Sequence, residues 1–161
     1  MTTPVPPTAP GAPGVAADAA SAASAAAASA SGTAVDHGLI EAATTTARAH
    51  ARGDSHTVAA AARAGDGRIV TAMNAYHFTG GPCAELVLVG AAAAQGVYDL
   101  TTIVAVGDGE RGLMPPCGRC RQFLFDYFPA IHVIVGTDDH PRTLTIAELL
   151  PEAYVWADHQ D

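Results

Sequence analysis

The sequence of 161 residues contains no lysine, and it has no apolar run long enough for a membrane helix. The net charge is −8, and the eight arginines form no basic stripe. A nucleic-acid polymer binds through such a basic footprint, so it is disfavoured as a partner. A transmembrane span needs about 20 strongly apolar residues. We therefore expect no membrane partner.

The first 34 residues contain no Leu, Ile, Phe, Tyr or Trp. A segment of this composition cannot bury enough apolar surface to offset the entropy lost on ordering. No basic residue precedes Arg48, and serines interrupt the alanine run, so the segment does not match a secretory signal. We predict a disordered tail over residues 1–34, one catalytic domain over residues 35–161, and a cytoplasmic location.

The rest of the chain alternates between helical and strand patterns. Helices are predicted over residues 36–51, 82–96 and 116–128, with a short helix at "TIAELLP". Strands are predicted over residues 57–62 and 68–74, which form a hairpin, and over residues 101–107 and 131–136. This order predicts an α/β fold with a mixed sheet and helices on both faces.

Only three cysteines occur, in "GGPCAELV" and "PCGRCRQ". An odd number of cysteines disfavours a disulfide framework, and a buried core role remains open, above all for Cys83. Cys117 and Cys120 lie three residues apart at a predicted helix start, so both sulfurs face one side of one turn. Cys83 stands at another helix start. Three thiolates from two helix starts would form a zinc site with one open position.

Zinc with three thiolates carries an excess negative charge. Arg119 stands between two of the cysteines and is positioned to offset this charge. The simpler alternative is that Arg119 is an ordinary solvated arginine. Glu85 follows Cys83 by two residues and would shuttle protons beside the metal. His77 is the nearest candidate for a fourth ligand, although an ordinary surface or core histidine is the simpler interpretation. Together with "PCGRC", the Cys83–Glu85 pair matches the zinc deaminase signature.

These motifs resemble the cytidine deaminase superfamily in its three-cysteine branch. The stretches "NAYHFTGGPCAEL", "ERGLMPPCGRCRQ" and "ELLPEAYVW" are similar to the blasticidin-S deaminases within it. The resemblance implies a three-layer α-β-α fold with a mixed five-stranded sheet. It also implies Zn²⁺ held by Cys83, Cys117 and Cys120, Glu85 as catalytic residue, and a homotetramer.

The resemblance further implies substrate contacts at Thr57, Asn74, Arg111 and Tyr154. Thr57 stands where the family has serine, so the hydroxyl is kept with an added methyl. Trp156 joins Tyr154 on the same side of the expected pocket. Both aromatic residues could instead form a C-terminal plug on the core.

Ordinary cytidine deaminases carry a sugar-binding glutamate two residues after the asparagine, and Tyr76 stands at that position here. The resemblance therefore implies hydrolytic deamination of the cytosine ring of blasticidin S or a related aminoacyl-nucleoside antibiotic. Two alternatives remain. One is a cytidine or deoxycytidine deaminase of pyrimidine salvage. The other is a non-catalytic, zinc-stabilised nucleoside-binding module.

Overall fold

The computed structural model describes residues 33–159, so the predicted tail lies almost wholly outside the described residues. The helices are α1 (His37–His50), α2 (Ala84–Ala94), α3 (Gly118–Tyr127) and α4 (Ile146–Leu149), followed by a 3₁₀ turn (Trp156–His159). The strands are β1 (Val58–Ala64), β2 (Ile69–Met73), β3 (Leu100–Gly107), β4 (Gly112–Leu113), β5 (His132–Thr137) and β6 (His140–Thr145). None of the described helices is long and apolar enough to cross a bilayer.

The strands form one mixed sheet in the order β2-β1-β3-β5-β6, with β4 paired to β3. The β3 and β5 strands are parallel and are joined through α3, whereas the other pairs are antiparallel. The register sets Val58 opposite Gly107 and Ala59 opposite Met73. The start of β1 and the ends of β2 and β3 therefore lie at the same end of the sheet, where these strands terminate.

Alternation along the central strands divides the core between the two faces of the sheet. One face carries Ala61, Val104 and Ile134, which pack with Leu39 and Ala43 of α1. The opposite face packs against α2, α3 and α4 through another set of buried side chains, Ala60, Ala62, Ile103, Val133, Leu88, Leu124 and Ile146. The three-layer α-β-α fold predicted from the resemblance is confirmed, with helices on both faces.

Helix α1 is fixed at its start by Asp36. The Asp36 carboxylate accepts a hydrogen bond from the backbone N–H of Leu39 at 3.0 Å, as an N-cap residue should. The same carboxylate pairs with the guanidinium of Arg63 on β1. The hydrogen bond from Arg63 lowers the pKa of the Asp36 carboxyl. One side chain thus caps the helix and ties it to the sheet.

The residue patterns predicted four strands and missed β4 and β6. The observed sheet has six strands, close to the five that the resemblance implied. The β6 strand reads "HPRTLT" and lacks an apolar run. It lies at the edge of the sheet, where only β5 pairs with it, and an edge strand tolerates Pro141. The β4 strand has two residues and pairs only with the end of β3.

Candidate active site

The three cysteines meet where two helices begin. Cys83 is the N-cap residue of α2, Cys117 is the N-cap residue of α3, and Cys120 lies in the first turn of α3. The Cys83 and Cys117 sulfurs are 3.8 Å apart, and those of Cys117 and Cys120 are 3.5 Å apart. All three cysteines are free thiols. Within residues 33–159, this is the one group of three potential metal ligands drawn this close together.

The spacing of these sulfurs suits a tetrahedral metal ion. Zinc–sulfur bonds of about 2.3 Å at tetrahedral angles place two sulfurs about 3.8 Å apart. The three sulfurs all lie within 4.8 Å of one another, close to that requirement. An all-thiolate donor set is one that zinc favours. The cluster could therefore hold zinc with one coordination position left for water or substrate.

The thiols ionise unequally in the absence of a cation. Burial raises the pKa of Cys83 and raises that of Cys120 well above its usual range. Burial opposes ionisation of Cys117 as well, but hydrogen bonds from the backbone N–H groups of Cys120 and Arg119 contribute to lowering its pKa. A bound cation reverses the penalty at the buried thiols, because it stabilises thiolate directly.

Glu85 lies in the first turn of α2 and is only 6% exposed. It is the one buried charged residue among the described residues. Burial raises the pKa of its carboxyl, while hydrogen bonds from its own backbone N–H and the Cys120 thiol act in the opposite direction. A carboxyl in this environment accepts and releases a proton more readily near neutral pH than an exposed glutamate does.

The loop from Asn74 to Pro82 delivers Cys83 to the cluster. The backbone N–H of Ala75 donates to the Pro82 carbonyl at 3.1 Å, which closes the loop beside Cys83. Gly81 packs directly on the backbone of Ala75: a Cβ at this position would lie 1.9 Å from the Ala75 carbonyl oxygen. Only glycine fits there, so Gly81, the second glycine of "GGPC", has a local structural reason.

Three of the predicted substrate residues form one hydrogen-bonded group. The Asn74 Oδ1 accepts from the backbone N–H groups of Thr57 at 2.7 Å and Val58 at 2.9 Å. The Thr57 carbonyl in turn accepts from the Arg111 guanidinium. Asn74 also begins the loop that ends at Cys83. This group therefore lies at the same end of the sheet as the cysteines.

Tyr154 and Trp156 occupy the C-terminal segment, and both are more than half exposed. Neither is therefore buried as an aromatic plug on the core would be. Tyr154 stacks on His159, and its carbonyl accepts a hydrogen bond from Gln122 of α3 at 2.8 Å. Gln122 follows Cys120 by two residues, so the C-terminal segment is attached to the helix that carries two of the cysteines.

The two arginines beside Cys120 differ in what they contact. The Arg119 side chain is exposed and makes no hydrogen bond or ion pair within residues 33–159, while its backbone N–H contacts Cys117. The Arg121 guanidinium donates to the Pro116 carbonyl at 2.8 Å and to the Leu149 carbonyl at 2.9 Å. Among the described residues, the structure shows no hydrogen bond between the Arg119 side chain and a cysteine sulfur.

His77 is not part of the cysteine cluster. Its Nδ1 lies 2.6 Å from the Thr79 hydroxyl, and its ring contacts the ring of Phe78. The histidine is exposed. It is a surface residue of the loop, in line with the simpler of the two interpretations made from the sequence.

Two residues at the site were not singled out from the sequence, Asp108 and Arg121. Asp108 forms an ion pair with Arg111, and its backbone N–H donates to the Thr57 carbonyl. The i,i+3 spacing of Asp108 and Arg111 in "GDGER" was the available signal for the pair. Nothing in the sequence indicates the contact of Arg121 with Leu149, because these residues are far apart in the chain.

Comparison with known proteins assigns the chain to a family. The model of the cytidine and deoxycytidylate deaminase zinc-binding region matches residues 33–137, which include all three cysteines. The chain belongs to this deaminase family. It is accordingly a zinc-dependent hydrolytic deaminase, and the cysteine cluster supplies a donor set that fits the metal.

Relatives of this deaminase include two kinds of enzyme. A blasticidin-S deaminase from Bacillus cereus is 33% identical over 125 residues, which cover 72% of this chain and 89% of that protein. A cytidine deaminase from Mycobacterium tuberculosis is 38% identical over 100 residues, covering 60% of this chain and 71% of that protein.

Solved structures match this deaminase over nearly their whole length. The cytidine deaminase from Burkholderia pseudomallei has a TM-score of 0.63 at 29% identity, covering 75% of this chain and all of that one. The cytidine deaminase from Mycobacterium tuberculosis has a TM-score of 0.62 at 31% identity, covering 76% of this chain and 99% of that one. The domain fold is therefore that of the cytidine deaminases.

Proposed function

We propose that this deaminase hydrolyses the exocyclic amine of the cytosine ring in blasticidin S or a related aminoacyl-nucleoside antibiotic. The products are the uracil-type nucleoside and ammonia, and the activity would confer resistance to the antibiotic. The observation that carries the proposal is the buried Glu85 carboxyl, whose pKa burial raises, in the helix turn that begins at Cys83 of the three-cysteine cluster. A proton carrier beside a metal-binding group is what the reaction requires.

In the proposed mechanism, Cys83, Cys117 and Cys120 hold zinc. When bound, zinc supplies a Lewis acid that lowers the pKa of water toward neutrality. Glu85 accepts the proton of the attacking water on its carboxylate and delivers it to N3 of the ring as the C4–O bond forms. Glu85 then takes the remaining proton from the new C4 hydroxyl and passes it to the exocyclic nitrogen. The C4–N bond breaks to release ammonia as the C4 carbonyl forms.

The proposed substrate contacts lie on the sugar side of the ring. Thr57, Asn74 and Arg111 are linked by hydrogen bonds at the start of β1, which supports a shared role. Tyr154 and Trp156 offer exposed aromatic rings from the C-terminal segment. We propose that Thr57, Arg111, Tyr154 and Trp156 bind the part of the substrate that differs from a simple ribose. Asn74 would lie along the nucleoside itself.

The preference for an antibiotic over cytidine is supported by two observations. The Bacillus cereus blasticidin-S deaminase matches a longer part of the chain than the Mycobacterium tuberculosis cytidine deaminase does. Tyr76 also replaces the glutamate that binds the sugar hydroxyls in ordinary cytidine deaminases, so a ribose would lose a charged hydrogen-bond acceptor. Salvage of cytidine or deoxycytidine is the second candidate, favoured by the higher identity of the cytidine deaminase relative.

The proposal is tested by following the loss of the cytosine absorbance on blasticidin S and on cytidine, with zinc content measured on the same preparation. We expect zinc to co-purify with the protein and kcat/KM to be higher for blasticidin S. A higher kcat/KM for cytidine would identify the salvage enzyme. Zinc-dependent folding without ammonia release would identify a non-catalytic binding module.

The role of Glu85 is tested with Glu85→Gln, which keeps the shape of the side chain and removes its titratable proton. General acid–base catalysis contributes about 10²–10⁴-fold, so kcat should fall by about that factor while zinc content is unchanged. Glu41→Gln, on the exposed face of α1, is the matched control and should keep full activity. Full activity of Glu85→Gln would exclude Glu85 as the proton carrier.

We also propose that the deaminase is a homotetramer with its active sites near the subunit interfaces. Several large apolar side chains are exposed on the single chain and would be available for burial in an assembly. Phe78 is 85% exposed and lies on the loop that leads to Cys83. An interface on this side of the fold would cover the loop and enclose the site.

A further inference from the structure

Gln122 of α3 has a side-chain amide that donates two hydrogen bonds. Its Nε2 donates to the Tyr154 carbonyl at 2.8 Å and to Asp126 Oδ1 at 3.0 Å. Both partners are acceptors, so the amide must direct its NH₂ group, and not its oxygen, toward them. Asp126 lies four residues further along the same helix and therefore helps to set the orientation in which Gln122 reaches the C-terminal segment.

A second contact from α3 attaches the start of this segment. The Arg121 guanidinium donates to the carbonyl of Leu149, the last residue of α4, at 2.9 Å. It also donates at 2.8 Å to the carbonyl of Pro116, which directly precedes Cys117. Consecutive side chains of α3 thus bind the chain at Leu149 and again at Tyr154. The helix that carries two of the three cysteines is therefore also the helix that holds the C-terminal segment.

The segment ends in a short turn that carries two exposed aromatic rings. The Tyr154 ring stacks on His159, with centroids 4.8 Å apart and planes 3° apart. The backbone N–H of Asp158 donates to the Val155 carbonyl at 3.2 Å. Tyr154 and Trp156 are 55% and 58% exposed, so burial in the core does not fix either ring. The position of the turn therefore depends on how the backbone is attached at Tyr154.

We propose that Gln122 is a positioning residue for substrate specificity, which holds the C-terminal segment where Tyr154 and Trp156 meet the aminoacyl arm of the substrate. The proposal rests on the proposed function, in which these two side chains contact the substrate. Gln122 acts through the Tyr154 backbone and not on the reacting atoms. Loss of its hydrogen bond should therefore weaken the binding of a substrate with an arm more than that of a substrate without one.

The kinetic test compares Gln122→Ala with the wild-type protein on blasticidin S and on cytidine, which lacks the aminoacyl arm. Loss of one such hydrogen bond corresponds to a factor of about three to ten, so KM for blasticidin S should rise by that factor. The kcat for blasticidin S, the kcat/KM for cytidine and the zinc content should each change by less than about twofold. Gln122→Lys keeps a donor for the Tyr154 carbonyl and should bring KM back to within about twofold of the wild-type value.

Trp156 provides a measurement that does not depend on turnover. It is the single tryptophan of the chain, so tryptophan fluorescence reports on the C-terminal segment alone. Release of the segment in Gln122→Ala should lower the fluorescence anisotropy of Trp156, because loop motions on the nanosecond timescale reorient the ring. Gln122→Lys should restore the anisotropy. Gln95→Ala removes the same kind of side chain from the exposed C-cap position of α2, and should leave both KM and the anisotropy at their wild-type values.

An unchanged Trp156 anisotropy in Gln122→Ala, or an equal rise in KM for blasticidin S and for cytidine, would overturn the positioning role. Equal effects of Gln95→Ala and Gln122→Ala would overturn it as well, because Gln95 lies on another helix and outside the attachment. A wild-type protein that does not turn over blasticidin S would refute the proposed function instead. The anisotropy comparison would then still decide whether Gln122 holds the segment.

Discussion

At the scale of single residues, the two arginines beside Cys120 illustrate what a motif can predict. The sequence drew attention to Arg119, because it stands between two of the cysteines. The structure leaves its side chain exposed, whereas Arg121 links the loop before Cys117 to the end of α4 through the Pro116 and Leu149 carbonyls. Spacing identified the cysteines and Glu85, since all lie in first turns or at caps. It could not identify contacts that depend on chain segments meeting in the fold.

Arg121→Ala should lower the free energy of unfolding by about 1–3 kcal/mol, because two partly buried carbonyls lose their donors. Urea denaturation of the zinc-loaded protein measures the change. Arg119→Ala removes the same charge two residues earlier in the chain. It should change the free energy of unfolding by less than about 0.5 kcal/mol. Equal losses in the two variants would show that charge, rather than the carbonyl contacts, is what Arg121 contributes.

A measurement of zinc affinity distinguishes the role of Arg119 from that of Arg121. The exposed guanidinium acts on the thiolates through screened charge alone, so Arg119→Ala should weaken zinc binding by only about three- to fivefold, and less at high salt. Competition with a chromophoric chelator gives the dissociation constant. Unchanged affinity at low salt would remove Arg119 from the proposed charge balance of the site.

At the scale of helices and strands, predictions succeeded where a segment carries its own pattern. The predicted helix over residues 36–51 is observed at His37–His50, and the hairpin at residues 57–62 and 68–74 is observed at Val58–Ala64 and Ile69–Met73. The alanine-rich first arm is a strand despite the helix propensity of alanine. Its small side chains are buried between the two helical layers, and this packing outweighs the local preference. The β6 strand escaped prediction because its pairing with β5, rather than its composition, defines it.

The loop before α2 offers a sharp test of how the site is positioned. Gly81→Ala would place a Cβ 1.9 Å from the Ala75 carbonyl oxygen, and this backbone atom cannot move away as a flexible side chain would. We expect a loss of more than about 2 kcal/mol in stability, with weaker zinc binding, since Cys83 would be displaced. Thermal unfolding and zinc content measure the two effects.

Gly90→Ala is the matched control for Gly81→Ala. Gly90 is exposed in α2, and a Cβ there meets no atom within 4 Å. Replacement of a helical glycine by alanine should stabilise the protein by about 0.5–1 kcal/mol. If Gly81→Ala instead behaved like Gly90→Ala, the close packing of the loop on Ala75 would not hold in solution.

At the scale of the whole molecule, exposed aromatic side chains divide between two regions of the fold. Phe78 lies on the loop that leads to Cys83. Tyr98 precedes β3, at the opposite end of the sheet, and is 73% exposed. If assembly encloses the active sites, the region around Phe78 is buried between subunits and the region around Tyr98 stays in solvent. The two residues therefore serve as probe and control.

Light scattering of the wild-type protein should give a mass about four times the chain mass of 16.2 kDa. Phe78→Ser removes a large apolar contact from the proposed interface, so it should shift the mass toward smaller species and lower kcat/KM together. Tyr98→Ser should leave both unchanged. A monomeric wild-type protein would contradict the tetramer. A Phe78→Ser variant that keeps the wild-type mass would place the interface elsewhere, because a phenylalanine buried at the interface should be needed for assembly.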